Sequence, residues 1–186
     1  MTVTTEFTST DLTAHESDTV RALSSASNRD ELRRVFGHVP SGLVVVAALG
    51  PDGPVGLLAS SFTSVSLDPP LISVNIAHTS TTLPVLRNAD HWGVTVLGRG
   101  QREVADHLRR PASERFDGVD WAATDNGAIH VDGAAAGFHT RVEQLIPAGD
   151  PVIALLAVHG HFAAADVEPI VFHHSRFRHL EQENPT

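Results

Sequence analysis

Two clusters of small hydroxyl residues give this sequence its first chemical hint. In GLLASSFTSVSLDPPL (56–71), Ser60, Ser61, Thr63, Ser64 and Ser66 crowd ahead of Asp68-Pro69-Pro70, and HTSTT (78–82) follows closely. Hydroxyls and backbone N–H groups can hold phosphate oxygens without side-chain charge. Small neighbours such as Gly56 and Ala59 would let a flat ring approach the backbone. Physics alone leaves two readings: a strand turn followed by a helix N-cap, or two arms around the phosphate of a nucleotide cofactor. The twelve histidines are the other source of chemistry. The HGH at 159–161 puts two imidazoles on one face of a strand, and His173 and His174 are adjacent. Neutral imidazoles can bind a metal. Without HExxH or a His/carboxylate set at helical spacing, no metal site is expected.

Other chemistries lack a signal. There is no GxGxxG, no GxxxxGK[ST] and no GxSxG. Ser, His and Asp are plentiful, but nothing marks one triad above the rest. With no Cys there is no thiol nucleophile, thiolate metal site or disulfide, which fits a reducing cytoplasm. The net charge of −9, from 13 basic and 22 acidic residues, opposes nucleic-acid binding, which needs a basic face to displace counterions. The longest apolar runs, such as LVVVAA (43–48), are too short to span a bilayer as a helix, and the polar N-terminus has no signal-peptide layout.

The elements that must position these groups follow from periodicity. Residues 1–27 read as a polar tail, with a short helix possible over 18–25, and 181–186 as a C-terminal tail; 28–180 form the domain. Asn28 and Glu31 stand in capping-box relation ahead of an apolar stripe of Leu32, Val35 and Phe36, with Gly37 as stop, which predicts a helix over 28–36. Strands are predicted at 43–48 and 55–62, joined as a hairpin by Gly50-Pro51-Asp52-Gly53, then at 71–77, 92–97, 137–149, 151–165 and 170–172. Helices are predicted at 81–89, with Ser80 or Thr81 as N-cap and Pro84 in its first turn, and at 100–110. Residues 114–121 read as irregular chain ending on a buried Trp121. The sum is a mainly β chain with helical insertions, an antiparallel barrel rather than a doubly wound sheet.

The ordered blocks FGHVPSGLVVVAA, DGPVGLLASSFTSVSLDPPLISVNIA, TSTTLPVLRN, WGVTVL and ERFDGVDW span about residues 30–178. They resemble the flavin reductase-like family, the reductase components of two-component flavin-dependent monooxygenases. The resemblance implies an antiparallel split β-barrel (the FMN-binding type) that is homodimeric and cytoplasmic. It implies FMN or FAD as cofactor, NADH or NADPH as hydride source, and a monooxygenase partner. It places the flavin ring and ribityl chain along Pro54, Val55, Gly56, Leu57 and Leu58, and the tail at Ser60 and Ser61. Asn75, Ile76 and Ala77 form the opposite wall. Thr81 and Thr82 match a phosphate-binding helix start, and His107-Leu108 fall where the family has an Arg-Phe pair. The protein would position the flavin against the nicotinamide, and the cofactors would do the chemistry.

The sequence also departs from the family pattern. Gly149-Asp150-Pro151, with Val152 after it, stands where the family has a GDH motif at the nicotinamide, and proline offers no donor. The family's TAS becomes Leu58-Ala59-Ser60, a basic residue becomes His78, and YYRGxY becomes the run from Phe172 to Phe177. Two readings follow: an NAD(P)H:flavin reductase, or the same fold without the redox cycle. In the second, a flavin or small molecule is carried, or His107, His173 or His174 does acid–base work, as an imidazole titrating near neutrality could.

Overall fold

The computed structural model describes residues 28–178 and residue 180. The expected tails and the short helix at 18–25 lie outside these residues. Two compact units are present, the first ending at Phe36 and the second starting at Gly37. In the first, helix α1 (Arg29–Phe36) starts as its sequence dictates. Asn28 Oδ1 accepts the N–H groups of Asp30 and Glu31, both at 3.1 Å. Acidic Asp30 and Glu31 occupy the first turn and basic Arg33 and Arg34 the last, complementing the helix dipole.

The second unit is mainly antiparallel β. Its large sheet has seven strands in the order β3 (Gly53–Ala59), β2 (Val44–Gly50), β6 (His91–Val96), β9 (Ala136–Pro147), β10 (Pro151–Ala163), β5 (Pro70–Ala77) and β4 (Thr63–Leu67). Three strands, β1 (Ser41–Gly42), β11 (Val171–His173) and β12 (Arg176–Arg178), form a second sheet, and β7 (Trp121–Ala123) pairs with β8 (Ile129–Val131). The large sheet curls until β3 approaches β5 without pairing. There Ser61 Oγ accepts Asn75 N–H at 2.9 Å and donates back to Asn75 O at 3.2 Å. The barrel is therefore split between β3 and β5, with β4 continuing past as a free edge.

The run LVVVAA lacks alternation because β2 is buried on both faces. Val44, Val46 and Ala48 join Ile72, Val74, Trp92 and Leu156 in one core, while Leu43, Val45 and Ala47 join Leu97, Leu108, Ile129 and Ile170 in another. The buried tryptophan is Trp92, not Trp121. Trp92 is fully buried and donates its indole N–H to Leu86 O at 2.9 Å, whereas Trp121 opens β7 and is half-buried.

Boundaries shift where hydroxyl residues break strands. The expected strand 55–62 ends at Ala59, and Thr63–Leu67 forms a separate strand, joined to β5 through a cis Asp68–Pro69 bond, with Pro70 already in β5. The predicted helices contract to α2 (Leu83–Leu86), with Pro84 in its first turn, and α3 (Arg102–His107). A 3-10 turn covers Ala112–Glu114. Strands β7, β8 and β12, each three residues long, are too short to read from periodicity.

The outer face of the sheet carries a chain of imidazoles. His91 stacks on His139 at 5.0 Å between centroids and meets His159 at 6.2 Å, and His130 packs edge-on against Phe162 at 5.6 Å. His159 and His161 do not share a face as plain alternation requires. A register shift between Val158 and Gly160 inserts a residue, so that His159 and Phe162 both reach this cluster. Among the described residues no three His, Asp or Glu groups converge as metal ligands.

Desolvation, then the charge of His139, lowers the pKa of His130. Desolvation, then the charges of His91 and His159, lowers that of His139. A depressed imidazole pKa means that the unfolded chain binds protons first. The stability these groups contribute is full above the ordinary value of 6.5 and is lost as pH falls from there through the folded values. Urea midpoints measured from pH 8 to 5 should therefore hold steady and then fall below about pH 6.5. His139→Gln should flatten that fall, and an unchanged profile would show that the cluster does not resist protonation.

Candidate functional site

The split between β3 and β5 opens a cavity of about 380 Å³ lined by Leu57, Leu58, Ala59, Ser60, Ser61, Asn75, Ile76, Ala77 and Ser80. Strand β3 is an edge strand, so alternate N–H and C=O groups point away from β2. Gly56 O points that way and accepts Arg115. Leu58, two residues on, shares the direction and offers its backbone to the cavity. Ile76 is buried and can contribute only backbone, whereas Asn75, Ala77 and Ser60 are exposed. Ser61 does not have a free hydroxyl to offer: it ties the two walls together through Asn75.

A second cavity, of about 590 Å³, lies along the same two segments and takes in Pro54, Val55, Thr81 and Thr82. The residues predicted to form one cradle are thus divided between two cavities. Gly56 lines neither. A Cβ there would stand 2.8 Å from Ala47 Cβ and 2.9 Å from Phe116 Cζ, so this glycine makes room for Phe116, not for a ligand ring. Thr82 is buried, and its hydroxyl accepts Arg115 Nη1 at 2.7 Å. Thr81 is the exposed one. With only four residues, α2 is too short for the anion-attracting dipole that its sequence suggested.

Arg115 was missed by sequence reasoning, although it lies in the ERFDGVDW block. Its Nη1 donates to Gly56 O at 2.9 Å as well as to Thr82, and its Nε donates to Arg110 O at 3.0 Å. Desolvation lowers its pKa, but a guanidinium remains a cation at neutral pH. It joins the edge of β3, the start of α2 and the 110–116 segment, so it holds both cavities in shape.

The other expected residues sit elsewhere. Leu108 is in the second core, and His107, with Nδ1 buried and unpartnered, ends α3 beside Gly118; neither lines a cavity described above. His173 and His174 end β11 and enter a left-handed turn (φ 51° at His174), where His174 also meets the ring of His38 at 4.2 Å. Desolvation and the like charges of His173, His38 and Arg178 lower the pKa of His174. Phe172 and Phe177 pack under Arg109, and neither lines the two cavities described above. Gly149, Asp150 and Pro151 do approach the first cavity. They form the β9–β10 turn, Pro151 pairs with Ala77, and His78 N–H donates to Asp150 O at 3.1 Å. Val152 turns its side chain into the core.

The flavin reductase like domain matches residues 36–181, nearly all of the second unit. The chain belongs to this family. It is 41% identical over 123 residues to the stachydrine N-demethylase reductase subunit of Rhizobium meliloti, covering 66% of this chain and 54% of that subunit. It is 35% identical over 160 residues to an NADH:FMN oxidoreductase of Rhodococcus erythropolis, covering 83% of each. Its fold matches the NADH:FAD oxidoreductase of Streptomyces globisporus, solved with NAD and FAD fragments. The TM-score is 0.82 at 34% identity, over 88% of this chain and 99% of that one. The family fits the observed split sheet, and these likenesses give no support to a fold stripped of its redox cycle.

A flavin suits the first cavity on structural grounds. An exposed strand edge presents alternating donors and acceptors to a flat heterocycle, and the walls carry small side chains at Ala59, Ser60 and Ala77. No histidine, aspartate or glutamate is among the residues that line it.

Proposed function

We propose that this protein is an NADH-dependent flavin reductase that passes reduced flavin to a separate oxygenase component. The carrying observation is the cavity at the split, with the free edge of β3 facing Asn75–Ala77. The bound flavin supplies the acceptor for hydride from the nicotinamide. The chain holds the ring by backbone groups of β3, keeps the walls apart through Ser61 and Arg115, and brings the Gly149–Pro151 turn to the open side. The NADH and FMN or FAD specificities of its relatives, and the role of one as a demethylase reductase subunit, support this reading. The same reading places the protein in the cytoplasm as a homodimer. Exposed Val65 (50%) and Leu67 (94%) on the free edge β4, next to the cavity, give a second copy an apolar surface to cover.

The deciding experiment titrates purified protein with FMN and FAD and then adds NADH under anaerobic conditions. Flavin absorbance should bleach at catalytic rates. Failure of both flavins to bind would sink the reading, and light scattering on the same sample should give twice the chain mass.

Pro151 bears on the nicotinamide. Restoring a side-chain donor by Pro151→His is expected to lower the KM for NADH by about three- to tenfold with little change in kcat, the value of one charge-assisted or neutral hydrogen bond. Steady-state kinetics check this, and an unchanged KM would show that the nicotinamide does not use this turn.

A further inference from the structure

The outer face of β9, β10 and β5 is largely apolar, and it runs from the first cavity to the histidine cluster. Paired residues of neighbouring strands share a face, and the register sets out its rows. Ile153 stands between Ile146 and Asn75, Leu155 between Gln144 and Ser73, and Ala157 between Arg141 and Leu71. Asn75 lines the first cavity, and Arg141 pairs on its other side with His91. We propose that a second copy of this chain covers this face, and that protonation of the imidazoles at its end releases that copy. This rests on the reading of the protein as a dimeric flavin reductase.

Strand β10 is apolar on both sides. Its inner residues Val152, Ala154 and Leu156 lie in the first core. Its outer residues Ile153, Leu155 and Ala157 are only half-buried, as are Ile146 and Leu71 beside them. Among the described residues the contacts of β10 are chiefly with β9 and β5, its neighbours in the sheet. A contiguous apolar face of this kind marks a surface that another molecule covers. Charge points to a second copy as that molecule. Arg141 and Glu143 are both exposed on β9, and Glu143 is the extra residue where the register against β10 shifts. In a two-fold pair the arginine of each copy can meet the glutamate of the other. The two charges also leave the face neutral, whereas a chain of net charge −9 repels its copy elsewhere.

The imidazoles of His91, His139 and His159 close one end of this face, with Phe162, 42% exposed, beside them. The Nδ1 atoms of His91 and His139 are shielded from water and have no hydrogen-bond partner, so no acceptor is in place for a proton there. The other charged or titratable groups on the surrounding elements are His130 on β8, Arg141 and Glu143 on β9, His161 on β10, and Asp90 just before β6. Both carboxylates are exposed. Desolvation, then the like charges of His91 and His159, already lowers the pKa of His139 in the single chain. A second copy laid over the face removes more water and favours the neutral rings further. The separate copies then bind protons more readily than the pair. Association is therefore complete above about pH 6.5 and is lost as pH falls below it.

Sedimentation velocity on full-length protein, over a range of concentrations from about pH 8 to about pH 5.5, reads the dissociation constant of the pair, with circular dichroism at each pH. The expected result is a dimer at the upper end whose dissociation constant rises at least about tenfold at the lower end. The fold should persist, and the pair should re-form when the pH is restored. His139→Gln combined with His159→Gln should remove most of that rise. Arg141→Glu and Glu143→Arg should each weaken the pair at high pH by about tenfold, and the double exchange should restore it. Arg141, Glu143 and His159 are exposed and His139 is half-buried, so these variants are expected to fold. A monomer at every pH, or single exchanges without effect, would overturn the surface. A dissociation constant that ignores pH, or dissociation only as the circular dichroism signal is lost, would overturn the proton release. Flavin titration on the same samples keeps the two readings apart. A dimer with this pH response that binds neither flavin would uphold the surface and sink the reductase reading, and a monomer that binds flavin would do the reverse.

Discussion

Arg115→Ala should destabilise the second unit by about 2–5 kcal/mol and weaken flavin affinity by at least about tenfold. The arginine supplies donors to three acceptors on three segments: Gly56 O, the Thr82 hydroxyl and Arg110 O. Gly56 and Thr82 are buried, so truncation leaves two polar groups without the partner they have here, each costing about 1–3 kcal/mol. The same loss frees the edge of β3 from the turn that leads into α2, and both cavities share that boundary. Arg115→Lys should recover only part of the effect. An ammonium keeps the charge but lacks the planar fork that spans separated acceptors. Urea denaturation and flavin titration on the same variants check both halves. Lost stability with intact flavin affinity would make Arg115 a fold residue only, and unchanged stability would refute the clamp.

Gly93→Ala should be more damaging to folding than any single truncation in the core. Strand β8 lies directly over Gly93, and an added Cβ would come within 1.9 Å of Ile129 O and 2.6 Å of Ile129 C. Neither atom can swing aside as a side chain can, so β8 must lift from β6. That movement opens the contacts of Thr95 Oγ1 with His130 Nδ1 at 3.3 Å and Val131 N–H at 3.4 Å and exposes Ile129 and Val131, both buried. A loss above about 3 kcal/mol, or failure to accumulate as soluble protein, is expected. Thermal melting beside Gly100→Ala, where a Cβ meets nothing within 4 Å, gives the comparison. Equal melting of the two would show that β8 does not sit on β6 as described.

These two residues mark where sequence reading stops. Both lie inside quoted motifs, WGVTVL and ERFDGVDW, yet the reason for each is a contact with a distant segment. Gly93 meets Ile129, and Arg115 meets Gly56 and Thr82. The histidines show the same limit. Local alternation put His159 and His161 on one face, and a register shift against β9 separated them. Ser61 was legible as a cavity residue, but its hydroxyl is committed to Asn75, fourteen positions away.

The sequence by itself determined the mainly antiparallel β class, the strands at 43–48, 71–77 and 92–97, the capped first helix and the family. It could do so because strand periodicity, turn prolines and cap hydroxyls act over a few residues, and ordered motif blocks preserve their spacing. Only the tertiary structure decided that the expected cradle is two cavities, that Gly56 serves Phe116, and that Arg115 joins the walls. Each of these depends on how the sheet curls to bring β3 beside β5 and where the 110–121 segment crosses it. Closure of that kind is set by the summed packing of both cores, and no local run of residues carries it.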